Sequence, residues 1–174
     1  MITIDDLDAI APHASEAGVA KYLAPLNGAM HEFHISDTGE REAAFIAQVL
    51  HESGGFRYVR EIASGVDYEG RTNLGNTEPG DGARFKGRGL LQITGRAGYA
   101  ACGAALGVDL ITDPGLLESP ELATRSAAWW WAAHGCNEIA DKGDFKALTK
   151  RINGGYNGYA DRLAYWERAK DVLA

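Results

Sequence analysis

Residues 40–55 read EREAAFIAQVLHESGG, and this stretch predicts the clearest helix in the chain. Asp37 and Glu40 are spaced as a capping box at its start, and a glycine pair stops it at its end. Successive residues of a helix turn by 100°, so Glu52 lies within about 20° of Phe45, at the edge of the apolar face. The stretch therefore predicts a core helix that carries a carboxylate in its last turn.

Length and composition predict one globular domain covering residues 1–174, with no separate binding domain, and we expect a monomer. The 24 acidic and 17 basic residues give a net charge of −7. A pI near 5.2 argues against a nucleic-acid partner, which would require dense clusters of cations. No segment approaches the roughly 18 consecutive apolar residues of a membrane span, so membrane insertion is not expected.

The rest of the chain is predicted to be mainly α-helical. Further helices are predicted over residues 3–11, 15–24, 27–34, 96–107, 120–135, 144–152 and 158–173. Thr3 and Ser119 are the expected N-caps of the helices at 3–11 and 120–135, and Asp144 is expected to open the helix that runs to residue 152. Residues 64–89 are rich in glycine and predict a long irregular region, and loops of that length tend to be functional. Residues 90–94 predict a short extended piece, so we expect a small β element near 84–95.

Glu52 is the first candidate for catalysis. Partial desolvation and the negative end of the helix dipole both penalise an ionised carboxylate, and both should raise its pKa. A carboxylic acid that stays protonated near neutral pH is what a glycosidase uses to protonate its leaving oxygen. The alternative is a solvated glutamate at a helix end, and this feature alone does not separate the two.

Acid/base hydrolysis needs a second carboxylate. The candidates downstream are Glu61, Glu69, Glu78 and Asp81. Glu61 is flanked by Arg57 and Arg60, which would lower its pKa if they lie close and keep it ionised. The alternative is a local ion pair between Glu61 and Arg57 with no catalytic role.

A polar and apolar alternation follows the glycine-rich region. Gln92 and Thr94 are two residues apart, so on an extended strand they share one face while Leu91 and Ile93 occupy the other. This pattern predicts a polar pair facing a groove and an apolar pair facing the core. The alternative for Thr94 is a hydroxyl that bonds to its own backbone.

Three segments together resemble the family 19 glycoside hydrolases, the chitinase-like group. They are AFIAQVLHESGGF at 44–56, FKGRGLLQITGR at 85–96 and INGG at 152–155. The chain as a whole resembles the short bacteriophage and prophage endolysins of that family, which cleave peptidoglycan rather than chitin. The resemblance implies a lysozyme-like fold in which two helical lobes flank a substrate groove.

The same resemblance assigns catalytic roles. It implies that Glu52 is the general acid, that Glu61 is the second carboxylate, and that the Thr94 hydroxyl helps to hold the attacking water. Family members invert the anomeric carbon, which requires room for water between the two acids. The segment holding the second acid is shorter here than in plant chitinases, so Glu69 stays open as an alternative to Glu61.

Substrate-binding roles also follow from the resemblance. It implies that Gln92 and Asn153 line the sugar groove and that Arg88 supports the catalytic carboxylates; Tyr99 is a weaker groove candidate. The alternatives are a helix C-cap at residues 153–155 and an Arg88 that only bonds loop carbonyls. The consecutive residues Trp129-Trp130-Trp131 point 100° apart, so at least one must leave the core.

The function implied is hydrolysis of the β-1,4 bond between N-acetylmuramic acid and N-acetylglucosamine in peptidoglycan. A chitinase acting on β-1,4 N-acetylglucosamine polymers is the nearest alternative. A sugar-binding module without catalysis and an injected antibacterial effector are further ones. No cofactor is implied, and neither His31-Glu32-Phe33-His34 nor His51-Glu52 forms the His-Glu-x-x-His zinc pattern.

The first eight residues, MITIDDLD, lack the positive and apolar regions of a secretory signal. We therefore expect synthesis in a bacterial host cytoplasm and action on the periplasmic wall after release by a holin. Two cysteines are too few for a disulfide scaffold, and we expect Cys102 and Cys136 to be free thiols.

Overall fold

A computed structural model describes residues 1–173 of the chain and shows a mainly α-helical fold, as predicted. The α-helices of the described residues are α1 (Ile4–Ile10), α2 (Glu16–Glu32), α3 (Gly39–Glu52), α4 (Asp81–Arg84), α5 (Arg96–Leu106), α6 (Pro120–Ala133), α7 (Cys136–Ala140), α8 (Phe145–Asn153) and α9 (Tyr159–Leu173). Short 3-10 helices lie at Val66–Tyr68, Thr72–Leu74 and Pro114–Glu118.

Helix α3 lies at the centre of the larger of two apolar cores. Its residues from Ala43 to Leu50 are buried, and the helix packs chiefly against α9. Phe45 meets Trp131 of α6 edge to face, with ring centroids 5.2 Å apart. Because this core surrounds α3, the helix end that carries Glu52 is fixed by packing from several neighbouring helices.

A smaller core lies under α5 and the glycine-rich region. Its buried members are Phe85, Ile93, Tyr99, Cys102, Leu106, Leu110 and Leu117. Phe33 and Trp130 pack against both cores and join the two lobes. The two lobes predicted from the sequence therefore correspond to two apolar clusters that share a seam.

Two predictions about helix ends are wrong. Residues 15–24 and 27–34 form one helix, because α2 continues through Pro25 and is held on both sides of it by the buried Tyr22 and Leu26. The N-cap of α3 is Thr38 rather than Asp37, and its hydroxyl accepts the N–H of Arg41 at 3.3 Å. The predicted caps at Thr3, Ser119 and Asp144 are confirmed.

The predicted extended piece at 90–94 is a turn. Within residues 1–173, pairing here is limited to the isolated bridges Arg60↔Arg88 and Arg88↔Ile93. Gln92 has a φ of 20°, which no strand residue adopts. The alternation of burial is nevertheless as predicted, since Leu91 and Ile93 are buried and Gln92 and Thr94 are half-buried.

Both cysteines are free, as predicted. Both are also buried, Cys102 in the smaller core and Cys136 in the larger one. Burial raises the pKa of each thiol to about 12, so both are protonated at neutral pH. Across the described residues, no helix combines the length and the apolar character that crossing a bilayer requires.

Candidate active site

Glu52 is the last residue of α3, and its side chain is about 25% exposed. Arg162 of α9, only 1% exposed, lies beneath it and donates Nη2–H to Oε1 of Glu52 at 2.5 Å. Arg162 Nη1–H also donates to Gln48, whose amide in turn donates to the Thr149 hydroxyl at 3.0 Å. A buried polar chain through α9, α3 and α8 therefore fixes the position of this carboxylate.

The sequence did not indicate Arg162 as a partner of Glu52. An apolar setting and a helix dipole are expected around this carboxylate, and the structure adds a buried guanidinium in direct contact with it. The sequence does contain an indication that Arg162 is buried. It shares a helix face with Trp166, Ala169 and Leu173, at spacings of four, seven and eleven residues. An arginine in line with core residues requires a buried partner.

The turn after α8 also contacts Arg162. Arg162 Nε–H donates to the Asn157 carbonyl at 3.1 Å, and Asn157 N–H donates to Oδ1 of Asn153 at 3.2 Å. Gly154 ends α8 with a φ of +75°, so the helix C-cap reading of the INGG segment is correct. Asn153 thus orders the turn that carries a contact to Arg162, and its role in sugar binding stays a prediction.

Replacing Arg162 with methionine is expected to destabilise the fold by about 1–3 kcal/mol, since Glu52 and Gln48 lose a charged donor. Activity should fall by about tenfold or more with little change in KM, because Glu52 is no longer held in position. Urea unfolding and steady-state kinetics measure the two effects. Arg162→Lys should recover part of both losses, and a methionine variant as stable and active as wild type would contradict this role.

Glu61 is held by two donors on opposite oxygens. The Tyr68 hydroxyl donates to Oε1 at 3.0 Å, and the Gly87 N–H donates to Oε2 at 3.1 Å. Glu61 N–H also donates to the Gly87 carbonyl at 2.9 Å, which ties its backbone to the 87–89 segment. Burial and the bond to Glu61 raise the pKa of Tyr68, so its hydroxyl remains a donor at neutral pH.

The expected arginine partners of Glu61 are elsewhere. Arg57 donates to the carbonyls of Gly54 and His13, and Arg60 lies 3.6 Å from the Glu118 carboxylate. The local ion pair with Arg57, the alternative without catalysis, is therefore also wrong. The Glu61 carboxyl is held by hydrogen bonds from a phenol and a backbone amide rather than by its sequence neighbours.

Gly87 brings Glu61 and Gln92 together. A Cβ built at Gly87 would lie 2.5 Å from Oε1 of Gln92 and 3.3 Å from Oε2 of Glu61. Both polar side chains thus lie against the same glycine. A larger residue at this position would push the two side chains away from each other. The close approach explains why a glycine stands at this position between two candidate site residues.

Thr94 lines a pocket of about 410 Å³ between the two lobes, with Gln92, Trp129, Trp130, His134 and Ile152 on its walls. No hydrogen bond from the Thr94 side chain is found within residues 1–173, so the hydroxyl is not used by its own backbone. Trp131 is the tryptophan in the core, whereas Trp129 and Trp130 are half-buried and reach the pocket.

Arg88 and Tyr99 contact the loop rather than the candidate carboxylates. Arg88 donates to Glu118 at 2.8 Å and to the Tyr99 hydroxyl at 2.9 Å, and that hydroxyl donates to the Lys86 carbonyl at 2.6 Å. Tyr99 is fully buried, and burial raises its pKa to about 12. The expectation that Tyr99 lines the groove is therefore wrong. Arg88 bonds neither Glu52 nor Glu61.

Two of the other acidic candidates, Glu69 and Asp81, hold backbone amides. Glu69 accepts the N–H groups of Gly80 and Gly82 at 2.7 and 2.8 Å, one on each oxygen. Asp81 is buried, and hydrogen bonds from Arg96 hold its pKa below the usual range. Of these carboxylates, Glu61 is the one that lies beside Gln92. No group of three metal-binding side chains is found in the described part of the chain.

The family model described as chitinase class I, of glycoside hydrolase family 19, matches residues 32–141, which include Glu52, Glu61 and Thr94. A glycosyl hydrolase family 19 domain-containing protein of Haemophilus influenzae is 33% identical over 153 residues, covering 70% of this chain and 74% of that protein. An endochitinase of Arabidopsis thaliana is 41% identical over 114 residues, covering 65% of this chain and 38% of that protein.

Solved structures give the same fold. Chitinase C from Streptomyces griseus superposes with a TM-score of 0.74 at 23% identity, covering 99% of this chain and 76% of that one. A class IV chitinase from Zea mays gives 0.76 at 24% identity, covering 99% and 92%. The fold and the matched segments define a glycoside hydrolase. The chain belongs to glycoside hydrolase family 19, and it spans about two fifths of the length of the Arabidopsis endochitinases.

Proposed function

We propose that this chain is an endolysin that hydrolyses the β-1,4 bond between N-acetylmuramic acid and N-acetylglucosamine in peptidoglycan. The observation that supports glycoside hydrolysis is a pair of carboxylates held in position in a family 19 fold. Glu52 accepts a hydrogen bond from Arg162, and Glu61 accepts one from the Gly87 N–H. The resemblance of the whole chain to the short endolysins of this family supports peptidoglycan as the substrate. A family 19 relative from a bacterium is matched over 74% of its length.

In the proposed reaction, protonated Glu52 donates its proton to the glycosidic oxygen as the bond to the anomeric carbon breaks. Arg162 stabilises the carboxylate that this transfer leaves on Glu52. Glu61, ionised, takes a proton from a water held by Thr94, and the water oxygen attacks the opposite face of the sugar. Each positioned acid or base contributes about 10²–10⁴ in rate. The products are a new reducing end and a free hydroxyl.

A chitinase is the second candidate, because the same carboxylates would cleave N-acetylglucosamine polymers. Its support is the identity to plant endochitinases, 41% for one Arabidopsis protein over the matched segment. The two candidates share every catalytic group and differ only in which sugars the groove accepts.

Parallel digests of purified peptidoglycan and chitin oligomers separate the candidates. Products are reduced with borohydride and identified by mass spectrometry. Reduced muramic acid ends are the expected result. Release from chitin alone would move the assignment to chitinase, and reduced glucosamine ends from peptidoglycan would place the cut at the other glycosidic bond.

The proposed cellular role is lysis of a bacterial host. Since peptidoglycan lies outside the cytoplasmic membrane, the proposal includes synthesis in the host cytoplasm followed by holin-type release. Expression in the cytoplasm alone should then leave cells intact, and co-expression with a holin should lyse them. Lysis without any membrane lesion would contradict this route.

A further inference from the structure

The pocket beside Thr94 is free of carboxylates in a chain that is rich in them. Its lining comes from residues 91–101, 129–134 and Ile152. The chain holds 24 acidic residues, yet none occurs in 82–108, 122–137 or 145–160, the three segments that contain this lining. A negatively charged group in this pocket would therefore meet no repulsion from the residues that line it.

Two basic side chains border the same pocket. Arg151, exposed in the last turn of α8, donates Nη1–H to the carbonyl of His134 at 2.9 Å. This bond occupies one of its five donors and holds the guanidinium next to a lining residue. Ile152, the next residue in the chain, is itself part of the lining.

His134 presents a free ring nitrogen. Its imidazole stacks on the Trp130 indole with ring centroids 3.9 Å apart and planes at 14°. Nδ1 lies 2.7 Å from the Trp130 carbonyl, which can only accept, so Nδ1 carries a proton. Nε2 is the nitrogen that remains for a ligand, and it becomes a donor when the ring is charged.

We propose that Arg151 and His134 bind a carboxylate carried by the substrate sugar, in the pocket next to Thr94. The inference rests on the proposed function, because the muramic acid residue of peptidoglycan carries either a lactyl arm with a free carboxylate, where no stem is attached, or a peptide stem with a carboxylate of its own. Chitin, a polymer of neutral sugars, offers none. The pocket would thereby distinguish the muramic acid ring from N-acetylglucosamine.

The positive charge at this pocket also bears on the net negative charge of the protein. A protein of net charge −7 should repel an anionic wall polymer at long range. Within a Debye length of about 8 Å at physiological salt, however, the nearest fixed charges dominate. Arg151 is a cation held at the border of the pocket, so its local attraction can offset the long-range repulsion.

Binding of small sugars tests the inference directly. The probes are N-acetylmuramic acid, muramyl dipeptide and N-acetylglucosamine, followed through tryptophan fluorescence because Trp129 and Trp130 line the pocket. Wild type should prefer at least one acidic probe by about fivefold, the range of a partly exposed charged contact, and salt should weaken the preference. Preference for N-acetylmuramic acid would identify the lactyl carboxylate, and preference for muramyl dipeptide alone the stem.

The variants are Arg151→Gln and His134→Gln, with Lys21→Gln as a control that removes a cation from α2, outside the pocket lining. The side-chain amide in His134→Gln has an N–H that can still donate to the Trp130 carbonyl. The preference should disappear in Arg151→Gln, weaken in His134→Gln and persist in the control. Equal affinities in wild type, or a preference that survives in both variants, would overturn the inference. A wild type that keeps the preference but cleaves no peptidoglycan would overturn the proposed function alone.

Discussion

Replacing Glu52 with glutamine is expected to reduce glycan hydrolysis by about 10²–10⁴-fold. The amide has no proton to give to the leaving oxygen, yet its size is unchanged and its oxygen can still accept the hydrogen bond from Arg162. Because the buried polar chain is kept, thermal unfolding should differ little from that of wild type. The release of new reducing ends from purified peptidoglycan and from chitin oligomers measures the effect.

Glu40→Gln is the matched control for Glu52→Gln, since Glu40 is exposed in the first turn of the same helix. It should keep full activity. If Glu52→Gln retained wild-type turnover on either polymer, Glu52 would not be the acid, and the polar chain through Arg162 would serve stability only.

Glu61→Gln is expected to cause a loss of the same order, about 10²–10⁴-fold, because the attacking water loses its base. The hydrogen bonds can be preserved: the amide oxygen can accept from Gly87 N–H while the amide nitrogen donates to the Tyr68 oxygen. The substitution therefore removes charge and basicity with little change in shape. Initial rates on both polymers, with circular dichroism to verify folding, measure the loss.

Glu69→Gln distinguishes the two candidates for the second carboxylate. Glu69 bonds only the N–H groups of Gly80 and Gly82, so its substitution should weaken the loop slightly and leave turnover within a few-fold of wild type. A severe loss in Glu69→Gln beside an active Glu61→Gln would reverse the assignment.

The features predicted correctly from the sequence are those set by neighbouring residues. Helix α3 follows from its apolar spacing, and the caps at Thr3, Ser119 and Asp144 follow from short side chains placed before helices. The predicted helix end at Pro25 is wrong because the buried residues on both sides of the proline stabilise α2 by more than the one backbone hydrogen bond that the proline removes. The predicted extended piece at 90–94 is wrong because buried and half-buried residues alternate there in a turn, without an extended backbone.

The contacts within the site could not be predicted as well from the sequence, since they join residues that are distant in the chain. Arg162 reaches Glu52 across 110 residues, and Gly87 reaches Glu61 across 26. Arg57 and Arg60 are expected near Glu61 because they are close in sequence, but Arg57 donates to two backbone carbonyls and Arg60 pairs with Glu118. Proximity along the chain indicated which carboxylates to consider, and only the fold shows what holds them.

The anomeric configuration of the first product tests the two-carboxylate account most directly. Proton NMR of an early digest of a soluble β-linked oligomer reports the new reducing end before mutarotation. Attack by a water that Glu61 activates, on the face opposite to the departing oxygen, predicts the α-anomer first. Initial release of the β-anomer would show retention, and would contradict the roles given to Glu61 and Thr94.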